Sequence, residues 1–372
     1  VDVQTVGCRD IAAKAPMQRD TMFRIASMTK PVTSVVALML MEEGKLALAD
    51  PITRWLPEFA DMQVLRSPTG PVEDTYPAPR DITVEDLMTH RAGLAYAFTS
   101  MGPIAQAHED RLGPPLGTPL TPDGWLKALG GLPLSFPPGQ QFHYSHATEV
   151  LGFLAARIEG KPLGQVLKDR VFGPLGMGDT DFWCPPQKQD RLAKLYRMNP
   201  DTEKLEDVSF PLETAQPVFE AGGGGLISTV DDYLKFARML LAGGEVDGVR
   251  LLKPETVTMM RTNRLSEAQR QVPFMGMPFW MSQGFGLGLS MILDAEKHAW
   301  MGAGSEGAFG WPGAFGTWWQ ADPVEDLIAI YMVQDSMPLG PEAVANLAAR
   351  RGLGGRAALP VFTKQVYAAL GK

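Results

Sequence analysis

Phe23-Arg24-Ile25-Ala26-Ser27-Met28-Thr29-Lys30-Pro31 is the stretch where an extended, turn-rich beginning gives way to one apolar helix. From Pro31 to Met41, Val32, Val35, Val36, Met39 and Leu40 keep helical spacing. The opposite face is nearly as apolar, which predicts a helix buried on most sides. Pro31 suits a first turn, where a missing N–H costs least, so the helix is expected to open at or just before Ser27, and Gly44 to close it. Ser27 and Lys30, three apart, then share one face and set an amine beside a hydroxyl. A serine hydroxyl becomes a nucleophile when a neighbouring base takes its proton, and a lysine amine can do so when burial or nearby positive charge favours its neutral form. Ser-x-x-Lys is common by chance, with the serine an N-cap and the lysine solvated, so its weight comes from the rest of the chain.

The chain has 372 residues, of which 45% are hydrophobic, enough for one large domain or two interleaved ones. A net charge of −8 with no basic run argues against nucleic acid or an anionic membrane as partner. Cys8 and Cys184 are too few for a disulfide framework and lack metal-ligand spacing. No apolar run reaches the roughly 18 residues of a membrane span, and no signal-peptide pattern is present. The expectation is a cytoplasmic protein with no membrane partner, although a start at Val1 leaves room for a missing leader.

Val1 to Ile25 alternates and turns, which predicts two short strands. Ile52 to Leu56 reads as a short amphipathic piece and 57–79 as a loop. Thr83 to His90 opens a helix with Thr83 as N-cap and Asp86 at the acid position of a capping box. From Arg91 to Pro138 the chain is dense in Gly and Pro, with one helix around Pro122 to Leu129, and is expected to wall a binding site. Val150, Leu151, Leu154, Ala155 and Ile158 predict a helix that Gly160 ends, and further helices are expected over Leu163–Val171, Val230–Leu241 with Thr229 as N-cap, and Leu359–Leu370. Strand-like runs cover Phe285–Leu293, Ala308–Trp311, Gly316–Ala321 and Leu327–Gln334, with a hairpin turn at Asp322–Asp326. Strands at both ends with helices between them predict an α+β fold: an antiparallel sheet from 1–60 and 216–372, and a mainly helical insertion over 61–215.

Tyr144 follows the Pro137-Pro138-Gly139 turn and precedes a helix, so it stands in a loop able to aim a phenol at a reacting group; a half-buried structural tyrosine is the alternative. His143 and His146 are three apart, but no third ligand stands at metal spacing nearby, and nothing in the pattern calls for a cofactor or metal. Glu306 to Thr317 is glycine-dense in a strand-like run, where a ligand can approach the backbone and N–H groups can face an acyl carbonyl; a bulge with a core aromatic at Trp311 reads equally well. Gly222 to Gly225 lacks the Lys-Ser/Thr of a phosphate loop.

Ser27-Met28-Thr29-Lys30, Tyr144-Ser145-His146 and Trp311-Pro312-Gly313, in that order, resemble the three active-site motifs of the serine β-lactamase and penicillin-binding-protein superfamily. The branch they look most like is the β-lactamase-like carboxylesterases called family VIII. Leu87–Leu94, Pro174–Thr180 and Gly222–Thr229 also look like recurrent segments of that family, so the resemblance covers nearly the whole chain. It implies a β-lactamase/transpeptidase-like fold with Ser27 acylated, Lys30 activating it and Tyr144 relaying protons. The N–H groups of Ser27 and Ala314 match the oxyanion hole, and Tyr96, His146, Trp311 and Gly313 become the expected substrate contacts. Relatives that cleave β-lactams have Lys-Thr-Gly in the third motif and usually Asn two residues after the tyrosine; here Trp311 and His146 stand there. These changes remove recognition of a β-lactam's acid and amide while keeping the acyl-transfer groups.

The resemblance therefore implies a serine esterase for small or medium acyl esters with at most weak β-lactamase activity. Transfer of the acyl group to another acceptor, or cleavage of amides or D-peptides, would use the same acyl-enzyme. A non-catalytic penicillin-recognising protein is disfavoured by the retained Ser27, Lys30 and Tyr144. An α/β-hydrolase esterase is disfavoured because the chain has no Gly-x-Ser-x-Gly.

Overall fold

The computed structural model describes residues 1–114, 116–199, 201–210, 216–337 and 354–371. The expected domain boundary at 215/216 falls at the edge of that set. The central helix α1, Thr29–Glu42, follows a single 3₁₀ turn at Ala26–Met28, so the regular helix begins two residues after Ser27. Its residues from Thr29 to Leu38 and Leu40 are all buried, as its two-sided apolar character predicts. Val32, Val35, Val36, Leu38 and Leu40 have no exposed surface, each contributing roughly 1.5–3 kcal/mol by leaving water.

Further helices are α2 (Val84–Met88), α3 (Pro103–Leu112), α4 (Pro122–Gly130), α5 (Ala147–Glu159), α6 (Val230–Leu241) and α7 (Leu359–Ala369). Helix α5 packs along α1 and also against α2. Thr83 caps α2 in a full capping box with Asp86, and Thr229 caps α6 by accepting from the Asp232 N–H. Helix α3 was not expected. Its apolar positions Ile104 and Leu112 are diluted by His108, and the glycines that suggested a loop, Gly102 and Gly113, are its two boundaries.

A five-stranded antiparallel meander runs β1 (Gln283–Phe285), β2 (Ser290–Ile292), β3 (Phe309–Gly310), β4 (Trp318–Asp322) and β5 (Leu327–Tyr331), in that spatial order. The run expected as one strand over Phe285–Leu293 is therefore the turn and second arm of a hairpin, closed where Gly286 N–H donates to Leu289 O. Helix α6 covers β4 and β5, with the Tyr233 and Trp319 rings 5.5 Å apart. The sheet also departs from the expectation of strands from both termini, because among the described residues no N-terminal strand joins it. Cys8–Asp10 and Ala15–Pro16 form a separate ribbon, and Phe23–Arg24 pairs with Ile227–Ser228. The alternation at Val1, Val3 and Thr5 meets no core: Val1 is 97% exposed, Thr5 is exposed and Val3 is only half-buried.

The stretch 57–79, expected as a loop, contains the hairpin Gln63–Leu65 with Thr75–Pro77, whose few residues and interrupting prolines hide a strand pattern. One hydrophobic cluster extends from Phe23 and α1 through Leu87, Trp125, Leu154 and Phe236 to Ala321, joining the helical part to the sheet. Among the described residues no helix is long and apolar enough to cross a membrane.

Candidate active site

Ser27 sits where strand pairing hands over to α1. Ile25 N–H donates to Leu226 O at 3.0 Å, Leu226 N–H to Thr29 Oγ1 at 3.2 Å, and Tyr233 OH to Met28 O at 2.9 Å, so the 226–233 segment grips the chain on both sides of the serine. Ala26 between them has φ +44°, a left-handed conformation unusual for a residue with a Cβ and the kind of local strain found at functional sites. Ser27 is half-buried and is not an N-cap in the structure.

Lys30 is 1% exposed, which removes the solvated alternative. Its Nζ has three neighbours: Gly223 O at 2.6 Å, Tyr96 OH at 3.2 Å and Ser27 Oγ at 3.3 Å. Tyr144 OH donates to Ser27 Oγ at 2.7 Å and accepts from the Trp311 indole N–H at 3.2 Å. The Lys30 Nζ lies 4.6 Å from the centre of the Tyr144 ring. Residues far apart in the chain thus form one connected set around the serine oxygen.

The segment after α2 holds the tyrosine. His143 N–H donates to His90 O at 2.8 Å, Ser145 N–H to His90 Nδ1 at 3.3 Å, and Thr99 Oγ1 to Tyr144 O at 2.9 Å. The His90 ring packs 4.6 Å from that of Tyr144. Burial pushes His90 and His146 well below the usual imidazole range, and His108 and His143 down to about 4, so these rings are neutral near pH 7.

Tyr96, expected at the substrate, is 3% exposed and turns its hydroxyl to Lys30 and Glu149. His146, expected there as well, is 4% exposed and packs behind Tyr96 at 4.2 Å, against the rings of His108 and Trp125. Gly313 is pressed against the Ile25 carbonyl, where a Cβ would collide with it and with Thr317 Oγ1. That close approach carries the loop holding Ala314 to the backbone two residues before Ser27, and Arg356 donates to the Ala314 carbonyl from the other side.

Glu149 had no place in the reading of the sequence. It is 2% exposed, accepts from the Tyr96 hydroxyl at 2.9 and 3.0 Å on its two oxygens, and lies so close to Gly223 that a Cβ there would strike the carboxylate. Burial raises its carboxyl above the ordinary Glu range, while Lys30 and the Tyr96 hydroxyl pull it down. The one local signal is an acid directly before the apolar Val150-Leu151 of α5.

A wall of aromatic rings continues from Tyr144 and Trp311: Phe274 lies 5.5 and 5.9 Å from them, and Phe285 lies 5.0 Å from Trp311. Leu116 approaches Gly224 beside the Lys30 contact. A cleft of about 740 Å³ opens elsewhere, between Leu126, Phe153, Arg157 and Val218, and contains none of these groups. The site is identified by its chemistry and not by cavity size.

A model of the Beta-lactamase family matches residues 1–353. The chain belongs to the beta-lactamase family. Protein Rv1367c of Mycobacterium tuberculosis is 50% identical over 373 residues, which cover 100% of this chain and 92% of that protein. Esterase EstB of Burkholderia gladioli is 32% identical over 341 residues, 85% of this chain and 78% of its own. Among solved structures, EstCE1, described as a hydrolase with promiscuous acyltransferase activity, superposes with a TM-score of 0.73 at 27% identity over 89% of this chain and 84% of its own. In this beta-lactamase-family chain, residue 311 offers a neutral indole N–H to the tyrosine.

Proposed function

We propose that the chain is a serine carboxylesterase for short- to medium-chain acyl esters, working through an acyl-enzyme on Ser27, with at most weak β-lactamase activity. The observation that carries this reading is the pair of contacts on one oxygen: Tyr144 OH at 2.7 Å and Lys30 Nζ at 3.3 Å from Ser27 Oγ. Ser27 Oγ attacks the ester carbonyl carbon as its proton leaves toward Lys30, and the carbonyl electrons move onto oxygen, to which the N–H groups of Ser27 and Ala314 donate hydrogen bonds. The intermediate collapses, the ester C–O bond breaks, and the Lys30–Tyr144 pair delivers the proton to the departing alcohol. Water then repeats the sequence on the acyl-enzyme and releases the acid. Trp311 and its aromatic neighbours favour apolar acyl or alcohol groups and offer no cation to a β-lactam carboxylate.

A second reading, transfer of the acyl group to an alcohol, is favoured by the likeness to EstCE1 and its promiscuous acyltransferase activity. Both are tested by initial rates on p-nitrophenyl acetate, butyrate and octanoate and on nitrocefin, with and without an added alcohol. Turnover of the short esters is expected to fall at least ~10³-fold in Ser27→Ala, with little nitrocefin cleavage in wild type. Ester turnover that survives in Ser27→Ala would move the chemistry away from this site, and products dominated by the new ester would select transfer over hydrolysis.

A further inference from the structure

We infer that Glu149 is a positioning residue that decides which way the Lys30 amine faces, acting through the Tyr96 hydroxyl. The inference rests on the esterase reading only for its substrate. Tyr96 OH has one proton, and both Glu149 oxygens, which in the ionised acid can only accept, stand 2.9 and 3.0 Å from it. With that proton committed, the phenol oxygen meets Lys30 Nζ, 3.2 Å away, as an acceptor. Gly223 O, 2.6 Å from Nζ, is an acceptor by nature.

A neutral amine has two N–H bonds and one lone pair. Tyr96 and Gly223 consume both N–H bonds, so the lone pair is left for the third neighbour, Ser27 Oγ at 3.3 Å. That is the orientation a general base needs. Without an obligate acceptor at Glu149, the phenol can turn its proton onto the lysine nitrogen; the lone pair is then occupied and an N–H faces the serine. The carboxylate also lies against Gly223, the residue whose carbonyl holds the other N–H, so one buried acid borders both groups that orient the amine. Glycine at 223 is explained by the same contact.

The test compares wild type, Glu149→Gln, Tyr96→Phe and the double variant. Two readouts are taken: kcat and KM on p-nitrophenyl butyrate, and the rate at which a fluorophosphonate labels Ser27, which needs no ester turnover. Glutamine keeps the shape but can present an N–H to the phenol, so proton assignment is lost while packing stays. Glu149→Gln is expected to lower kcat and the labelling rate together by roughly tenfold or more, with KM changed by less than about threefold. Tyr96→Phe should lose a similar factor, and the double variant should be no slower than the slower single one. Labelling within twofold of wild type in Glu149→Gln, or losses that multiply in the double variant, would overturn the inference. If Glu149→Gln fails to fold, Tyr96→Phe decides alone, and wild-type labelling there overturns it as well. Failure of the esterase reading shows separately, as absent butyrate turnover in wild type while labelling still ranks the variants.

Discussion

At Trp311 a neutral indole meets the Tyr144 hydroxyl. Its indole N–H reaches Tyr144 OH at 3.2 Å, and its ring is boxed by Phe274, Phe279 and Phe285. Trp311→Phe keeps most of this packing and removes one neutral hydrogen bond, so kcat/KM on p-nitrophenyl butyrate should fall roughly 2- to 10-fold. An unchanged rate would mean that the indole N–H does not help hold the tyrosine. At this scale Ser27 and Lys30 were legible because helical spacing alone brings residues three apart together. Tyr144 and Trp311 were legible through motif resemblance, and Glu149 was not legible, because nothing in its neighbours reports that Tyr96, 53 positions earlier, ends beside it. His146 shows the converse: motif position suggested a substrate contact, and packing places its ring behind Tyr96.

Among the elements, the short helix α2 matters beyond its five residues, since the turn that follows it places His90 against the Tyr144 loop. Its start depends on Thr83, whose Oγ1 accepts from Asp86 N–H at 3.2 Å while Asp86 Oδ2 accepts from Thr83 N–H at 2.9 Å. Thr83→Ala should cost about 1 kcal/mol, read as a lower urea midpoint with an unchanged slope. No shift would show that Arg80, which also binds Asp86, holds the turn without the cap. Capped elements such as α2 and α6 were readable because caps are local chemistry. Helix α3 was not, since its stability comes from Ile104, His108 and Leu112 buried by other parts of the chain.

For the whole molecule, the buried acid predicts a trade between stability and activity. The Glu149 carboxyl is raised above its ordinary value of 4.5, with burial as the largest cause. A group raised in the folded state stabilises the fold below its unfolded value, and that contribution is lost as pH rises through the folded one. As pH rises, the fold increasingly disfavours the wild-type group, because burial opposes its ionisation. Glu149→Gln should melt higher than wild type at pH 7, with the gap closing toward pH 4, in melting curves taken across that range. Lys30 from α1, Tyr96 from the loop before α3, and Tyr144 and His146 beside the start of α5 face this region and are present in both proteins, so they largely cancel in the comparison. A variant that melts lower at pH 7 would show that the carboxylate's interaction with Lys30 outweighs its burial.

By itself the sequence determined what depends on neighbours along the chain: the apolar helix after Ser27, the caps at Thr83 and Thr229, the serine–lysine pair, and the hairpin turn at Asp322. Spacing, capping and turn chemistry act over a few residues, so they can be read without knowing the fold. Tertiary structure alone decided that the sheet is built from residues 283–331, that Phe23–Arg24 pairs with Ile227–Ser228 instead, and that Glu149, Tyr96 and Gly223 converge on one amine. Burial and hydrogen bonding between distant segments set those outcomes, and no local pattern encodes which distant partner a side chain will meet.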